Sequence, residues 1–241
     1  SPGEHYQLDL EMSFVEQEDI FLTTEPLFFE LFTKFGNNKK ISKKPFQRIS
    51  FAESMLKYGT DKPDLRIPIE ICDVTNIFNS EEVKFDIFKK QIKKKAVVRA
   101  IPVINTSTKA RSFFDNLDVW AKELGAGGLA YISFNMKNGK ISGLGPIAKF
   151  FSDNALKKLS NLCNSKDGDS IFFICDQTKE AEKYSGLVRI KIANELNLIE
   201  NNVFKFCWIT DFPLYQYDEK TKKLDFSHNP FSMPNVSYDK F

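Results

Sequence analysis

The chain has few of the histidine and cysteine ligands that build a zinc-type metal centre. Its 241 residues include two histidines, His5 and His228, and four cysteines, Cys72, Cys163, Cys175 and Cys207. No two cysteines share a CxxC spacing, and neither histidine is near one in sequence. A zinc site needs clustered ligands, so no metal residue is assigned. Cys72, Cys175 and Cys207 lie in apolar, strand-like runs, where a free thiol behaves as a small hydrophobe. Reduced core residues in a reducing cytosol are the expectation. Long apolar runs are also missing: none approaches the roughly 20 residues that span a bilayer. The opening residues, SPGEHY, lack the basic start and apolar centre of a secretory signal. The first methionine is Met12, so the chain is expected to start inside a longer protein. No charge of one sign dominates, with 34 Lys and Arg against 32 Asp and Glu. The single basic run, Lys89–Lys95, reads better as a solvated loop than as a phosphate-binding patch. No internal repeat or low-complexity tract is visible.

What is abundant is phenylalanine. The 24 Phe residues and a hydrophobic fraction of 42% exclude a disordered chain. The length suits one large domain or two modest ones. The most informative stretch is residues 6–14, YQLDLEMSF. Apolar and polar residues alternate strictly, the pattern of a half-buried strand. Tyr6, Leu8, Leu10, Met12 and Phe14 are expected to face one way, and Gln7, Asp9, Glu11 and Ser13 the other. Two carboxylates beside Gln and Ser are poor strand formers. Such a face suits an ammonium group, a ribose or a metal; it also fits a solvated acidic strand.

After this strand a helix is expected from Glu16–Glu18, interrupted at Pro26 by a kink or a second start at Thr24 and ended by Gly36-Asn37-Asn38. Ser50 and Glu53 form a capping box for a short helix over Phe51–Tyr58. The run YGTDKPDLR at 58–66 has the composition of a hinge, and Asp61 or Asp64 is expected to pair with Arg66. From Ile67 a compact α+β pattern follows. Ala96–Ile104 reads as a strand, Arg111–Leu124 as an amphipathic helix, and Leu129–Asn135 as a strand entering a turn at Asn138-Gly139. A helix capped by Ser152, a buried strand at Ser170–Asp176 and a long helix at Glu180–Leu196 complete it. Strand–helix–strand order favours a right-handed crossover. Near the end, Phe204–Ile209 and Leu214–Tyr217 read as one strand, which returns at Leu224–Phe226 with His228 just beyond.

The combination of YQLDLEMSF, YGTDKPDLR, DFPL at 211–214 and HNPFSMP at 228–234, in that order, resembles bacterial aspartyl-tRNA synthetases. The resemblance covers essentially the whole chain. It implies an α+β fold: part of a class II synthetase antiparallel sheet with flanking helices, interrupted by a compact inserted α+β domain of the kind shared with tRNA-dependent amidotransferases. Residues 1–62 and 200–241 would then be two pieces of one catalytic domain, and 63–199 the insert. Residues 6–14 and 204–226 would be strands of one sheet.

The resemblance also implies the chemistry. Aspartate and ATP condense to aspartyl-adenylate, and the aspartyl group then moves to the 3′ end of tRNA. Asp9 would grip the substrate ammonium through charge-assisted hydrogen bonds. Gln7 would help hold the aminoacyl moiety, and Glu11 would support Mg²⁺ or the ribose region. His228 would approach the substrate carboxylate, a task suited to an imidazole near neutral pH; before Asn229-Pro230 it also fits a hydrogen-bonded corner. No general acid, base or nucleophile is assigned. The family's two ATP-clamping arginine segments have no match in these residues, so the chain alone is expected to be inactive and to hold neither ATP nor Mg²⁺. Aspartate, ATP and tRNA are the implied partners, with a homodimeric parent in the cytoplasm and no membrane. Two other readings are a tRNA-dependent amidotransferase subunit with the same insert, which leaves QLDLE and HNPFSMP unexplained, and a non-catalytic RNA-binding module. The latter calls for clustered Arg and exposed aromatics on a sheet face, whereas the arginines here are scattered.

Overall fold

The computed structural model describes residues 3–137, 140–218, 221–227 and 239. Among the described residues the chain divides into two units. Residues up to 47 together with 202–206 form one; 48–201 with those from 207 onward form the other.

In the smaller unit, α1 (Gln17–Phe35) is the main element. Its start is closed by a capping box in which the Glu16 amide donates to Asp19 Oδ2 at 2.9 Å. The sequence expects a kink at Pro26 or a second start at Thr24; there is no second start, and α1 runs through Pro26 as one helical segment. Pro26 can offer no N–H to the carbonyl of Leu22, and Leu22 lies on the solvent side, where water can serve that carbonyl. Strand β1 (Lys40–Ile41) pairs in parallel with β8 (Val203–Phe204). Phenylalanines supply the packing: Phe32 meets Phe204 and Phe206 edge-on, both at 4.8 Å, and Phe46 stacks on Phe206 at 5.0 Å. Buried Glu25 accepts the Phe46 amide through Oε1 at 3.2 Å.

The larger unit is built on a five-stranded sheet in the order β3-β4-β7-β5-β6. Its strands are β3 (Cys72–Asp73), β4 (Val97–Val103), β5 (Ala130–Lys137), β6 (Lys140–Leu144) and β7 (Ser170–Asp176). Every neighbouring pair is antiparallel. β4 and β5 are both antiparallel to β7, so they run parallel to each other, joined through α5 (Arg111–Glu123) with β7 between them. Alternation along the strands loads both faces. Ile101, Val103, Phe172 and Ile174 pack with α5 and α7 (Thr178–Glu195). Val98, Ala100, Ile171 and Phe173 pack with Phe78 of α3 (Thr75–Asn79) and with Leu156 and Leu159 of α6 (Asp153–Leu162). A sheet covered on both sides explains why β7 reads as a continuous apolar run, SIFFICD. The turn at Asn138-Gly139 lies outside the described residues.

Helix α2 (Phe51–Tyr58) starts as its sequence predicts, with Ser50 Oγ accepting the Glu53 amide at 3.2 Å. It stops at Gly59, whose φ of 69° is left-handed. A Cβ there would lie 2.2 Å from the Glu182 carbonyl oxygen and 2.7 Å from the Gly186 backbone of α7. Backbone meets backbone, so neither side can give way cheaply. Gly59→Ala should therefore cost about 2–4 kcal/mol, combining left-handed strain with overpacking. Urea denaturation measures it; a loss under about 1 kcal/mol would mean that α2 and α7 separate easily.

The expectation of one antiparallel sheet containing 6–14 and 204–226 is overturned. Residues 6–12 form no strand. Residues 203–226 are divided among three two-stranded sheets: β1 with β8, β2 (Gln47–Ser50) with β9 (Cys207–Thr210), and β10 (Tyr215–Asp218) with β11 (Lys223–Phe226). The predicted single strand over Phe204–Ile209 breaks because the Phe206 amide donates to Ser42 Oγ at 2.7 Å instead of to a ladder carbonyl. Asp211, at a φ of 56°, and Pro213, with no N–H, then separate β9 from β10. The hairpin itself forms, with Tyr215 opposite Phe226 and Asp218 opposite Lys223.

Candidate functional site

The segment 6–14 runs without a ladder into α1, and Phe14, at a φ of 59°, marks the change of direction. A strand needs a neighbour to satisfy its amides and cover its apolar face. Among the described residues no strand pairs with it, and Tyr6, Leu8, Leu10, Met12 and Phe14 are all exposed. The expected half-buried strand is therefore corrected to an open, extended segment with solvent on both faces. Gln7, Asp9 and Glu11 are exposed as well. Two of them meet: Gln7 Nε2 donates to Asp9 Oδ1 at 2.8 Å and to Oδ2 at 2.9 Å. The Gln7 amide thus steadies the Asp9 carboxylate while the carboxylate's other lone pairs stay open to a further donor. Glu11 follows at the same spacing of two residues. A donor-rich group such as an ammonium, or a hard cation, matches this acceptor set. His228 lies outside the described residues. Among the described residues no cluster of three metal-ligating side chains occurs, and no helix is long and apolar enough to cross a membrane.

The segment YGTDKPDLR, which reads as a hinge, is instead held at several points. Arg66 pairs with Asp64 in a fork, Nε to Oδ1 at 2.9 Å and Nη2 to Oδ2 at 2.7 Å. The hydrogen-bonded guanidinium holds the Asp64 carboxyl below the usual carboxylate range. Asp61 pairs with Lys62 at 2.8 Å rather than with Arg66. The larger restraint comes from Arg189 of α7, which is completely buried. Its Nε donates to the Ile69 carbonyl at 2.7 Å, and its Nη2 donates to the carbonyls of Asp64 and Ile67 at 2.9 and 3.1 Å. The guanidinium carbon sits 5.0 Å from the centre of the Tyr58 ring. Nη1 has no hydrogen-bond partner, and burial pushes the Arg189 pKa down. Sequence reasoning missed this residue. Nothing in α7 signals it, because its acceptors are backbone carbonyls more than a hundred residues earlier.

A second concavity lies on the larger unit, an open groove of about 690 Å³ lined by Phe114, Tyr131, Arg111, Asp115, Asp118 and Lys122 among others. Phe114 and Tyr131 stack at 4.1 Å. Each cation already faces a carboxylate, Lys122 with Asp118 at 2.7 Å and Arg111 with Asp115 at 3.4 Å. The groove therefore offers an aromatic wall and little net charge. Its internal pairing suits a structural cleft better than a phosphate site.

Comparison with known proteins bears on the whole chain. The family model described as class II tRNA synthetases (D, K and N) matches residues 1–240. An aspartate–tRNA(Asp/Asn) ligase of Rickettsia canadensis is 56% identical over 239 residues, covering 99% of this chain and 39% of the relative. The protein of the same description from Pelagibacter ubique is 53% identical over 234 residues, covering 97% of this chain and 39% of the relative. That of Rickettsia prowazekii is 54% identical over 239 residues, covering 99% and 38%. The chain thus spans about 39% of the length of the curated relatives it matches.

Proposed function

Because the chain belongs to the class II tRNA synthetases of the D, K and N group, we propose that it is a region of an aspartate–tRNA ligase. Such an enzyme activates aspartate with ATP and transfers it to the 3′ end of tRNA. The observation that carries this reading is the end-to-end match at 52–56% identity to proteins described as aspartate–tRNA(Asp/Asn) ligases. The match includes the residues flanking the central sheet as well as the sheet, which an amidotransferase sharing only an insert would not explain.

In this reading Asp9 accepts hydrogen bonds from the substrate ammonium, and the Gln7 amide keeps its carboxylate in place. Glu11, a hard oxygen donor, fits an ion of the Mg²⁺ type, which commonly takes one or two carboxylates and otherwise waters and phosphates. Bound there, Mg²⁺ would offset phosphate charge. His228 belongs to the same reading as a donor to the substrate carboxylate. Positioning and charge complementarity, rather than covalent chemistry, are what these side chains supply. The five-stranded sheet with α3, α5, α6 and α7 is the compact part of residues 63–199, the proposed insert; 1–62 and 200–241 are the proposed parts of the catalytic domain. A homodimeric, cytoplasmic parent with aspartate, ATP and tRNA as its ligands completes the proposal.

A chimera tests it. In the Rickettsia canadensis relative, the 239 matching residues are replaced by those of this chain. Aspartate-dependent ATP–pyrophosphate exchange should stay within about tenfold of the unmodified relative, or about 1.4 kcal/mol in the barrier. A folded chimera without exchange would overturn the assignment.

A further inference from the structure

We propose that Cys72 and Cys163 form an oxidisable thiol pair, closed to a disulfide by a peroxide-class oxidant and reopened by a thiol reductant. This goes beyond the ligase reading and does not depend on it. The two residues are 91 positions apart in sequence, and the fold brings them together on one face of the sheet. Cys72 lies on the edge strand β3 and packs against the core cluster that contains Cys163. Cys163 caps the C-terminus of α6, with its side chain buried. Cys72 Sγ lies 3.8 Å from the carbonyl oxygen of Leu162, the residue before Cys163. The Cys72 Sγ also lies 3.9 Å from the Glu70 carbonyl oxygen, and the proximity of the two thiols pushes the Cys72 pKa down and the Cys163 pKa up. Cys175 is different: burial, with the adjacent Asp176 carboxylate, pushes it up to about 12.

That asymmetry sets the order of events. Cys72 is half-buried whereas Cys163 is buried, so Cys72 meets the oxidant first. Its thiolate attacks one peroxide oxygen, and the O–O bond breaks. Hydroxide leaves and takes a proton to become water, and Cys72 is oxidised to the sulfenic acid. The Cys163 sulfur then attacks the Cys72 sulfur, the S–O bond breaks, and the departing hydroxide takes the Cys163 proton to become a second water. In sum, two thiols and one hydrogen peroxide give one disulfide and two waters. A thiol reductant reverses it by exchange. The closed form would tie edge strand β3 to the end of α6 across a long loop, next to Ile71, whose amide donates to the Lys57 carbonyl of α2 at 2.8 Å.

The test is peroxide titration of the 241-residue chain, followed by intact mass, thiol counting and non-reducing peptide mapping. Expected are a loss of two of the four thiols, a mass lower by about 2 Da and a linked Cys72–Cys163 peptide pair, all reversed by dithiothreitol. Cys72→Ser and Cys163→Ser should each abolish the linked peptides, and Cys163→Ser should convert the product to a Cys72 sulfenic acid trapped by dimedone. Circular dichroism of the half-buried Cys72→Ser variant checks that the loss is not unfolding. Overoxidation of Cys72 with Cys163 still free in the unmodified chain, or an unchanged 2 Da loss in either variant, overturns the proposal.

Discussion

Arg189→Met should lower the stability of the chain by about 2–4 kcal/mol. The side chain is completely buried, its hydrogen bonds go to carbonyl oxygens, and its charge lies over the Tyr58 ring. Methionine fills similar space but leaves the acceptors of Ile67 and Ile69 without this donor; the Asp64 carbonyl keeps the Ile67 amide at 3.3 Å. An orphaned buried acceptor costs about 1–3 kcal/mol. Relief from burying an unneutralised guanidinium offsets part of that, as does the favourable packing of an apolar replacement. At about 2–4 °C per kcal/mol for a chain of this size, the midpoint should fall by about 5–15 °C. Arg189→Lys should recover less than half, because a single ammonium cannot reproduce a planar fork reaching three carbonyls. Paired urea and thermal melts measure both variants. A methionine variant within about 1 kcal/mol of the parent, or a lysine variant equal to it, would show that the carbonyl cage is not what holds 58–69 in place.

Asp9→Asn in the chimeric ligase should lower aspartate-dependent exchange by about ten- to a hundredfold in kcat/KM. This follows from losing one charged hydrogen bond, about 1.5–3 kcal/mol. Asparagine keeps the shape and can still take one hydrogen bond from Gln7, so the change isolates the charge. Asp9 is exposed and bonds only its neighbour, so the melting temperature should move by less than about 2 °C. His228→Ala should act more on KM for aspartate than on kcat. Intact exchange in the Asp9 variant, or a loss explained by unfolding, would return residues 7–11 to the status of an ordinary acidic surface.

How much was legible depended on how far each signal had to reach along the chain. Ser50 and Glu53 announced α2 because a cap is completed within one helical turn. Tyr215–Phe226 announced a hairpin because its turn and both strands are contiguous. The alternation at 6–14 described a real periodicity: Gln7 and Asp9 do sit side by side. It could not supply the neighbouring strand on which burial depends. Residues 58–66 were legible in part: Asp64 pairs with Arg66 as expected, but the looseness read from their composition is not there. Gly59, Pro63 and four charged side chains looked loose, yet Gly186 and Arg189 fasten them from a helix that no local pattern connects to them. The split of 203–226 among three sheets was equally hidden, since Ser42 diverts the Phe206 amide from a distance of 164 residues.

The position of β7 has a consequence for how the chain is made. It is the last strand of its sheet to be synthesised and it occupies the middle, between β4 and β5. Val103 must wait for Ser170, and Phe172 pairs with both Ile101 and Tyr131. A nascent chain holding β4, α5 and β5 therefore has two apolar strands with an empty lane between them. Closing that lane needs contacts of large sequence separation, so it waits on elongation and leaves unpaired strand edges exposed meanwhile. Translation must deliver about seventy residues after β4 before the sheet can become continuous, so this stretch is the window in which a chaperone, or a mistaken partner, would meet the chain.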